Sequence, residues 1–302
     1  MPDLIQIGDQ SIKRGKSVTI DLAIAKLPSN TPIDLKVHVY RAKKDGPVLL
    51  LTGALHGDEI NGVEIIRRLI KSKKIEPESG TVIAIPIVNL YGFNLNVRGV
   101  PDGKDINRSF PGVKGGSLAR LVAYTVMNEI LPVIDYGIDF HTGGASRSNY
   151  PQIRCSFNVS RSKELAAAFS APITLHSTLI PKSFRHAANK RGRHILVYEA
   201  GESLRLYEAG IREGINGTLR LMRYLGMKNG TLESNSGKSY RKSIWIRAKR
   251  SGLFIQNSML GLETERGTLL GEISDPYGSR SHHLSAPHKG TVIGMNFSPV
   301  VH

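Results

Sequence analysis

Two observations predict an α/β protein with a mixed, largely parallel sheet and helices on both faces. Short apolar runs suited to buried strands alternate with longer amphipathic stretches of helical period. Chemically versatile residues follow those runs directly, at the strand ends where open α/β sheets bind ligands. From about residue 230 the texture turns to short β-type segments between Gly, Pro and Ser, which predicts a small all-β domain after the main one.

The alternating LKVHVYRA (35–42) predicts a strand, and the unbroken VLLLTGA (48–54) one buried on both faces. NGVEIIRRLIKS (61–72) has apolar residues at helical spacing. TVIAIPIV (81–88) is a further buried strand, SLARLVAYTVMNEIL (117–131) a helix and VIDYGIDF (133–140) a third buried strand. After a long irregular stretch, HILVYEA (194–200) reads as a strand and 204–226 as a long helix ended by Gly226. SIWIRA, GLFIQ, GTLLGEI and GTVIGM are the β segments of the C-terminal part.

With 302 residues, 40% of them hydrophobic and 22% charged, the chain reads as globular rather than disordered or fibrous. Its start, MPDLIQIGDQSIKRG, lacks the apolar core of a signal peptide, and no run reaches the roughly 18 apolar residues of a membrane span. A soluble, cytoplasmic protein without membrane contact is therefore expected. The single cysteine, Cys155, has no partner for an internal disulfide and reads as a buried thiol. A net charge of +16 raises the question of nucleic acid. Its basic clusters are short, however, and lack the interleaved aromatics that stack on bases (Lys71, Lys73, Lys74; Arg241, Lys242, Arg247, Lys249, Arg250). The expectation is a basic surface that draws in a small anionic substrate, and a homo-oligomer as the general prior for soluble proteins.

LHGDE follows the strand VLLLTGA and sets His56 and Glu59 three residues apart on a turn into a helix. His141 follows VIDYGIDF, so a second imidazole leaves another strand of the same sheet. Two His and one Glu form a ligand set of catalytic zinc, with a fourth position left for water. Gly57, Gly143 and Gly144 adjoin the two motifs, where the backbone needs to turn tightly. Glu199 ends the apolar strand HILVYEAG, a place for a carboxylate only if it faces a site or is paired, and it is the candidate general base. Between the ligand strands, NLYGFNLNVRGVPDGKDINRSFPG is a long polar loop of the kind that carries function. In it Arg108 beside Asn107 suits a substrate carboxylate, and Arg98 suits the developing oxyanion.

Taken in order, HGDE, DINRSFPG, DFHTGG and YEAG resemble the succinylglutamate desuccinylase and aspartoacylase family, a branch of the zinc carboxypeptidase-like hydrolases, over about residues 35–226. The resemblance implies one Zn2+ per chain on His56, Glu59 and His141, with Glu199 activating water and then protonating the leaving amine. It implies that Arg98 polarises the scissile carbonyl, that Asn107 and Arg108 bind a substrate carboxylate, and that Asp105 orients their loop. Arg185, in KSFRHAANK, is similar in placement to a further substrate-binding arginine. The implied organisation is an N-terminal extension with β segments (1–34), a zinc hydrolase domain (35–229) and a small β domain (230–302). That last part resembles a biotinyl-like half-barrel, but its turn at Glu265 and Arg266 has no lysine to modify. A structural, lid or oligomer-contact role is expected in place of a swinging arm. No tyrosine is assigned to the reacting centre.

The expected activity is zinc-dependent hydrolysis of the amide bond of a small N-acyl amino acid. Two alternatives stay open at this stage: a metallocarboxypeptidase using the same residues, and a non-catalytic binding protein on a hydrolase scaffold.

Overall fold

In the computed structural model, residues 3–26, 29–231 and 237–302 are described. A hairpin of β1 (Leu4–Ile7) and β2 (Gln10–Lys13) precedes the antiparallel pair β3 (Ser17–Lys26) and β4 (Pro32–Arg41). The chain continues through β5 (Lys44–Thr52), α1 (Asn61–Lys71), β6 (Ser79–Ile85), the short α2 (Leu90–Leu95), α3 (Leu118–Thr125) and β7 (Tyr136–Gly143). Next come β8 (Arg147–Cys155), α4 (Ser160–Phe169), β9 (Ile173–His176), α5 (Phe184–Lys190), β10 (His194–Glu202), α6 (Glu208–Tyr224) and β11 (Lys238–Tyr240). The remainder is β12 (Gly252–Gln256), β13 (Glu263–Thr264), β14 (Leu269–Ser274), β15 (Ser281–Ser285), β16 (Gly290–Thr291), β17 (Gly294–Asn296) and β18 (Val300–Val301).

Among the described residues ten strands form one mixed sheet, ordered β11-β9-β8-β10-β7-β5-β6-β4-β3, with β17 joined to β8. Its centre, β10-β7-β5-β6, is parallel. The apolar run of β5 shows why helices cover both faces. Val48 to Leu51 are at most 1% exposed, and alternate side chains point to opposite sides. Val48 and Leu50 enter a core shared with α3 and α5, whereas Leu49 and Leu51 enter one shared with α1, α4 and α6. Each such side chain is worth about 1.5–3 kcal/mol of burial. Cys155 lies in the second core, and burial pushes its thiol up to about 11, so it stays neutral at physiological pH.

β12, β14, β15 and β18 form a four-stranded antiparallel sheet, and β13 pairs β16. The C-terminal strands are tied to the main sheet through β17, whose Gly294, Met295 and Asn296 face Asn149, Ser148 and Arg147.

Several elements differ from the sequence reading. The third buried strand starts three residues later than expected, because 131–133 form a tight turn containing Pro132, and it extends to Gly143, so His141 lies within the strand. The helix expected over 117–131 is α-helical to Thr125 and widens into a π turn over Val126–Ile130. The stretch read as irregular after His141 holds β8, α4, β9 and α5. Pro151 hides β8, since proline cannot donate to a ladder. It sits at the register shift between Asn149 and Gln152, where neighbours change from β17 to β9. SIWIRA forms no strand; its alternation is real, but it has no ladder partner among the described residues. No helix of the described residues is long and apolar enough to cross a membrane.

Candidate metal centre and active-site cleft

β5 ends at Thr52, and the chain turns through Ala54, held at φ +44° in the left-handed region that a non-glycine residue adopts at a cost. The turn delivers His56 and Glu59, with the Glu59 amide donating to the His56 carbonyl at 3.1 Å. Gly57 is required by close approach: a Cβ there would lie 1.9 Å from the carbonyl carbon of Gly92 in α2. Asn61, at the start of α1, donates to the Ala200 carbonyl and accepts from the Tyr207 amide, which ties this turn to the end of β10. His141 stands on β7, directly across the ladder from Glu199 on β10.

These placements bring His56, Glu59 and His141 together, 3%, 1% and 4% exposed. The two Nδ1 atoms are 3.1 Å apart; His56 Nδ1 is 2.9 Å from Glu59 Oε1, and His141 Nδ1 is 2.8 Å from Glu59 Oε2. Neighbouring ligands of a tetrahedral zinc, with bonds of about 2.0–2.1 Å, are separated by little more than this, so the donor set fits the ion. Burial opposes a charge on either imidazole. For His56 the charge of Glu59 and contacts with Asp105 and Glu59 outweigh that penalty and raise its pKa. Asp139 and Glu59 do the same, more strongly, for His141. Burial likewise opposes ionisation of Glu59, but the two imidazoles hold its pKa well below the usual carboxylate range.

Behind the donors lies a layer that the sequence reading found only in part. His141 Nε2 contacts Asp139 Oδ2 at 2.7 Å, and Thr52 donates to the other Asp139 oxygen at 2.7 Å. Asp139 and His141 are two apart on one strand and therefore share a face. The DxH spacing was the available signal, and it went unused. His56 Nε2 lies 3.2 Å from Asp105 Oδ1, off the line of a good hydrogen bond. Carboxylates in this position fix the tautomer and ring orientation of metal-binding histidines. Asp105 was expected to orient its loop. It does so by accepting from the Asn107 amide at 2.7 Å, and it holds Arg98 as well. Burial opposes ionisation of Asp105, yet His56 and Arg98 keep its pKa far below the usual range.

A cleft of 230 Å³ opens over the donors, and all eight sequence-predicted site residues line it. Arg98 donates to Glu59 Oε1 at 3.0 Å and to Asp105 Oδ2 through Nε and Nη2, while Asn89 holds the carbonyls of Arg98 and Gly99. Glu199 Oε2 accepts from Asn149 at 2.7 Å, and Arg154 lies 3.6 Å from Oε1. Asn107 Oδ1 accepts from the Phe184 amide, leaving its NH2 group for a ligand, and Arg108 is exposed. Arg185 is buried in the wall, donating to the carbonyls of Arg154 and Thr178 and to Ser177 Oγ; burial lowers its pKa.

Arg147, Arg154, Asn149 and Trp245 also line the cleft and were missed by sequence reasoning. The first three lie on β8, the strand hidden by Pro151. Trp245 comes from the C-terminal part and packs 6.0 Å from the Arg147 guanidinium carbon. The described lining contains no tyrosine.

The catalytic-domain profile of the succinylglutamate desuccinylase/aspartoacylase family matches residues 45–225. The N-alpha-acetyl-L-2,4-diaminobutyric acid deacetylase of Halomonas elongata is 27% identical over 251 residues, 76% of this chain and 71% of that protein. Among solved structures, a succinylglutamate desuccinylase/aspartoacylase from Rhodobacter sphaeroides is 27% identical with a TM-score of 0.80, covering 95% of this chain and 92% of that one. The product-bound ectoine utilization protein EutE (DoeB) of Ruegeria pomeroyi, 21% identical, shares the fold at a TM-score of 0.83, covering 96% and 94%. With the profile spanning more than half of its length, the chain belongs to the succinylglutamate desuccinylase/aspartoacylase family of deacylases.

Proposed function

We propose that this protein is a zinc-dependent deacylase that hydrolyses the amide bond of a small N-acyl amino acid. The observation that carries this reading is the buried His56–Glu59–His141 cluster with Glu199 beside it in one cleft. The similar Halomonas elongata enzyme, named for removal of an acetyl group from an amino acid, supports the substrate class.

His56, Glu59 and His141 would hold the zinc, which when bound activates water and polarises the carbonyl. Glu199, across the ladder from His141, takes the proton of the attacking water and returns it to the leaving amine. Asn149 and Arg154 orient its carboxylate for that exchange. Arg98 places positive charge beside the carbonyl while its three nitrogens brace Glu59 and Asp105. Asn107 and Arg108 take the substrate carboxylate, and Arg185 adds its charge from within the wall. The five arginines lining the cleft, Arg98, Arg108, Arg147, Arg154 and Arg185, favour an anionic substrate. Trp245, from the C-terminal part, lines the cleft, where it would limit substrate size. This favours a deacylase over a carboxypeptidase, and the intact donor set disfavours a binding protein.

The test combines zinc content with a panel of N-acyl amino acids and short peptides. One zinc per chain, lost in His141→Ala together with deacylation, is expected; peptide-only turnover, or full deacylation by the zinc-free protein, would overturn the proposal.

A further inference from the structure

A second cavity, 480 Å³ in volume, adjoins the catalytic cleft, with Arg108 in the wall of both. Its wall also carries Lys104, Arg120 and Lys182, and no carboxylate among the described residues. Lys104 is paired with Asp102 at 2.7 Å. Arg108 donates to the Asn107 carbonyl, and for Arg108, Arg120 and Lys182 the described residues show no acidic partner. Three unpaired cations thus border one void, an arrangement that repels itself and is relieved by a bound anion.

The remaining groups are donors of the same preference. Ser117, at the N-cap of α3, lines the cavity; its hydroxyl makes no capping bond, and its buried Oγ has no hydrogen-bond partner among the described residues. Two guanidinium forks and an unpaired ammonium group offer more donors than the two oxygens of one carboxylate accept, whereas a phosphate has three peripheral oxygens. The volume lies in the range of small-molecule sites, about 300–1,000 Å³, and exceeds what one phosphate fills. Phe110 and Pro111 add apolar wall for an organic body.

We propose that this cavity is a phosphate-binding site beside the catalytic cleft, in which Arg120 and Lys182 take the phosphate group of a small molecule while Arg108 adds its charge from the shared wall. The experiment is calorimetric titration of the zinc-loaded protein at low salt with inorganic phosphate and, separately, with glycerol 3-phosphate. Arg120→Ala/Lys182→Ala is compared with the charge-preserving Arg120→Lys/Lys182→Arg; both side chains are exposed and outside the catalytic cleft. Saturable binding is expected, weakened about ten-fold or more in the alanine pair and retained in the charge-preserving pair. Tighter binding of glycerol 3-phosphate would assign the site to a phosphomonoester, and equal affinity to the free ion. Absence of binding by both probes, or equal binding by the native protein and the alanine pair, would overturn the proposal. The measurement reads binding alone, so it is independent of whether the cleft deacylates anything.

Discussion

The donor cluster and the arginine wall face each other across one cleft and are built differently. His56, Glu59 and His141 are nearly sealed, and every polar atom of Glu59 and both imidazoles meets a neighbour within 3.2 Å, including Asp105, Asp139 and Arg98. Opposite them Arg108 and Arg147 are exposed, and Arg108 donates only to the preceding carbonyl. On the proposed reading this suits a metal centre, since donors for a small metal need placing to a few tenths of an ångström before it arrives, and burial and bracing supply that. On the same reading the exposed arginines would receive a mobile anion, a task done over several ångströms and helped by staying in solvent.

This contrast is open to test from both sides. The largest effect is expected from Glu199→Gln, which keeps the carboxylate's shape: zinc stays bound while kcat falls about 10²–10⁴-fold. Wild-type turnover in this variant would remove Glu199 from proton transfer. Asp139→Asn leaves all three donors in place and loosens the brace on His141, so zinc affinity should drop about 10–100-fold in a competition assay with a chelator. Affinity equal to that of the native protein would show that the donors need no brace. On the other wall, Arg108→Ala should raise KM about ten-fold with kcat little changed, as befits a contact made equally in ground and transition states. A loss confined to kcat would place Arg108 with the precise side of the cleft.

The smallest effect should come from a charge cluster remote from the donors. Glu64 accepts from Arg67 and Arg68 at 2.6–2.8 Å, and Arg68 continues to Glu208 on α6. Hydrogen bonding by Arg67 lowers the Glu64 pKa to about 2, against the cost of its partial burial. The folded-state pKa is depressed, so the stabilisation is present above the unfolded value of about 4.3 and is lost as the pH falls towards 2. Glu64→Gln should cost about 1 kcal/mol at pH 7, flatten the acid limb between pH 4.5 and 2, and leave zinc binding unchanged. An unaltered acid limb in urea titrations would remove this pair from the stability of the α1–α6 contact.

Legibility followed burial pattern. Val48–Leu51, Ile83 and Ile138 read as strands because apolar runs of strand length flanked by turn residues have few other uses. Strand β8 did not, because Pro151 and its polar neighbours fit a loop equally well until β9, β10 and β17 surround them. Helix α4 was missed for a related reason: its buried stripe includes Ser162 and Ala166, which give little periodic contrast. Asp139 was overlooked as well, since a carboxylate in an apolar strand has no visible partner until Thr52 and His141 stand beside it.

By itself the amino-acid sequence determined the alternating α/β order and the residues from which the site is drawn, His56, Glu59, His141, Glu199 and the arginines of the 96–112 loop, because these follow from local periodicity and from the chemistry of adjacent residues. Only the tertiary structure decided which of them meet. The pairing of β7 with β5 and β10 sets His141 against Glu59 and Glu199, β8 brings Asn149 and Arg154 to the cleft, and the irregular segment before β12 adds Trp245. Those contacts join residues as far apart in the chain as Arg147 and Trp245, and the free energy that selects them comes from burying both faces of one sheet, a property of the whole chain rather than of any segment.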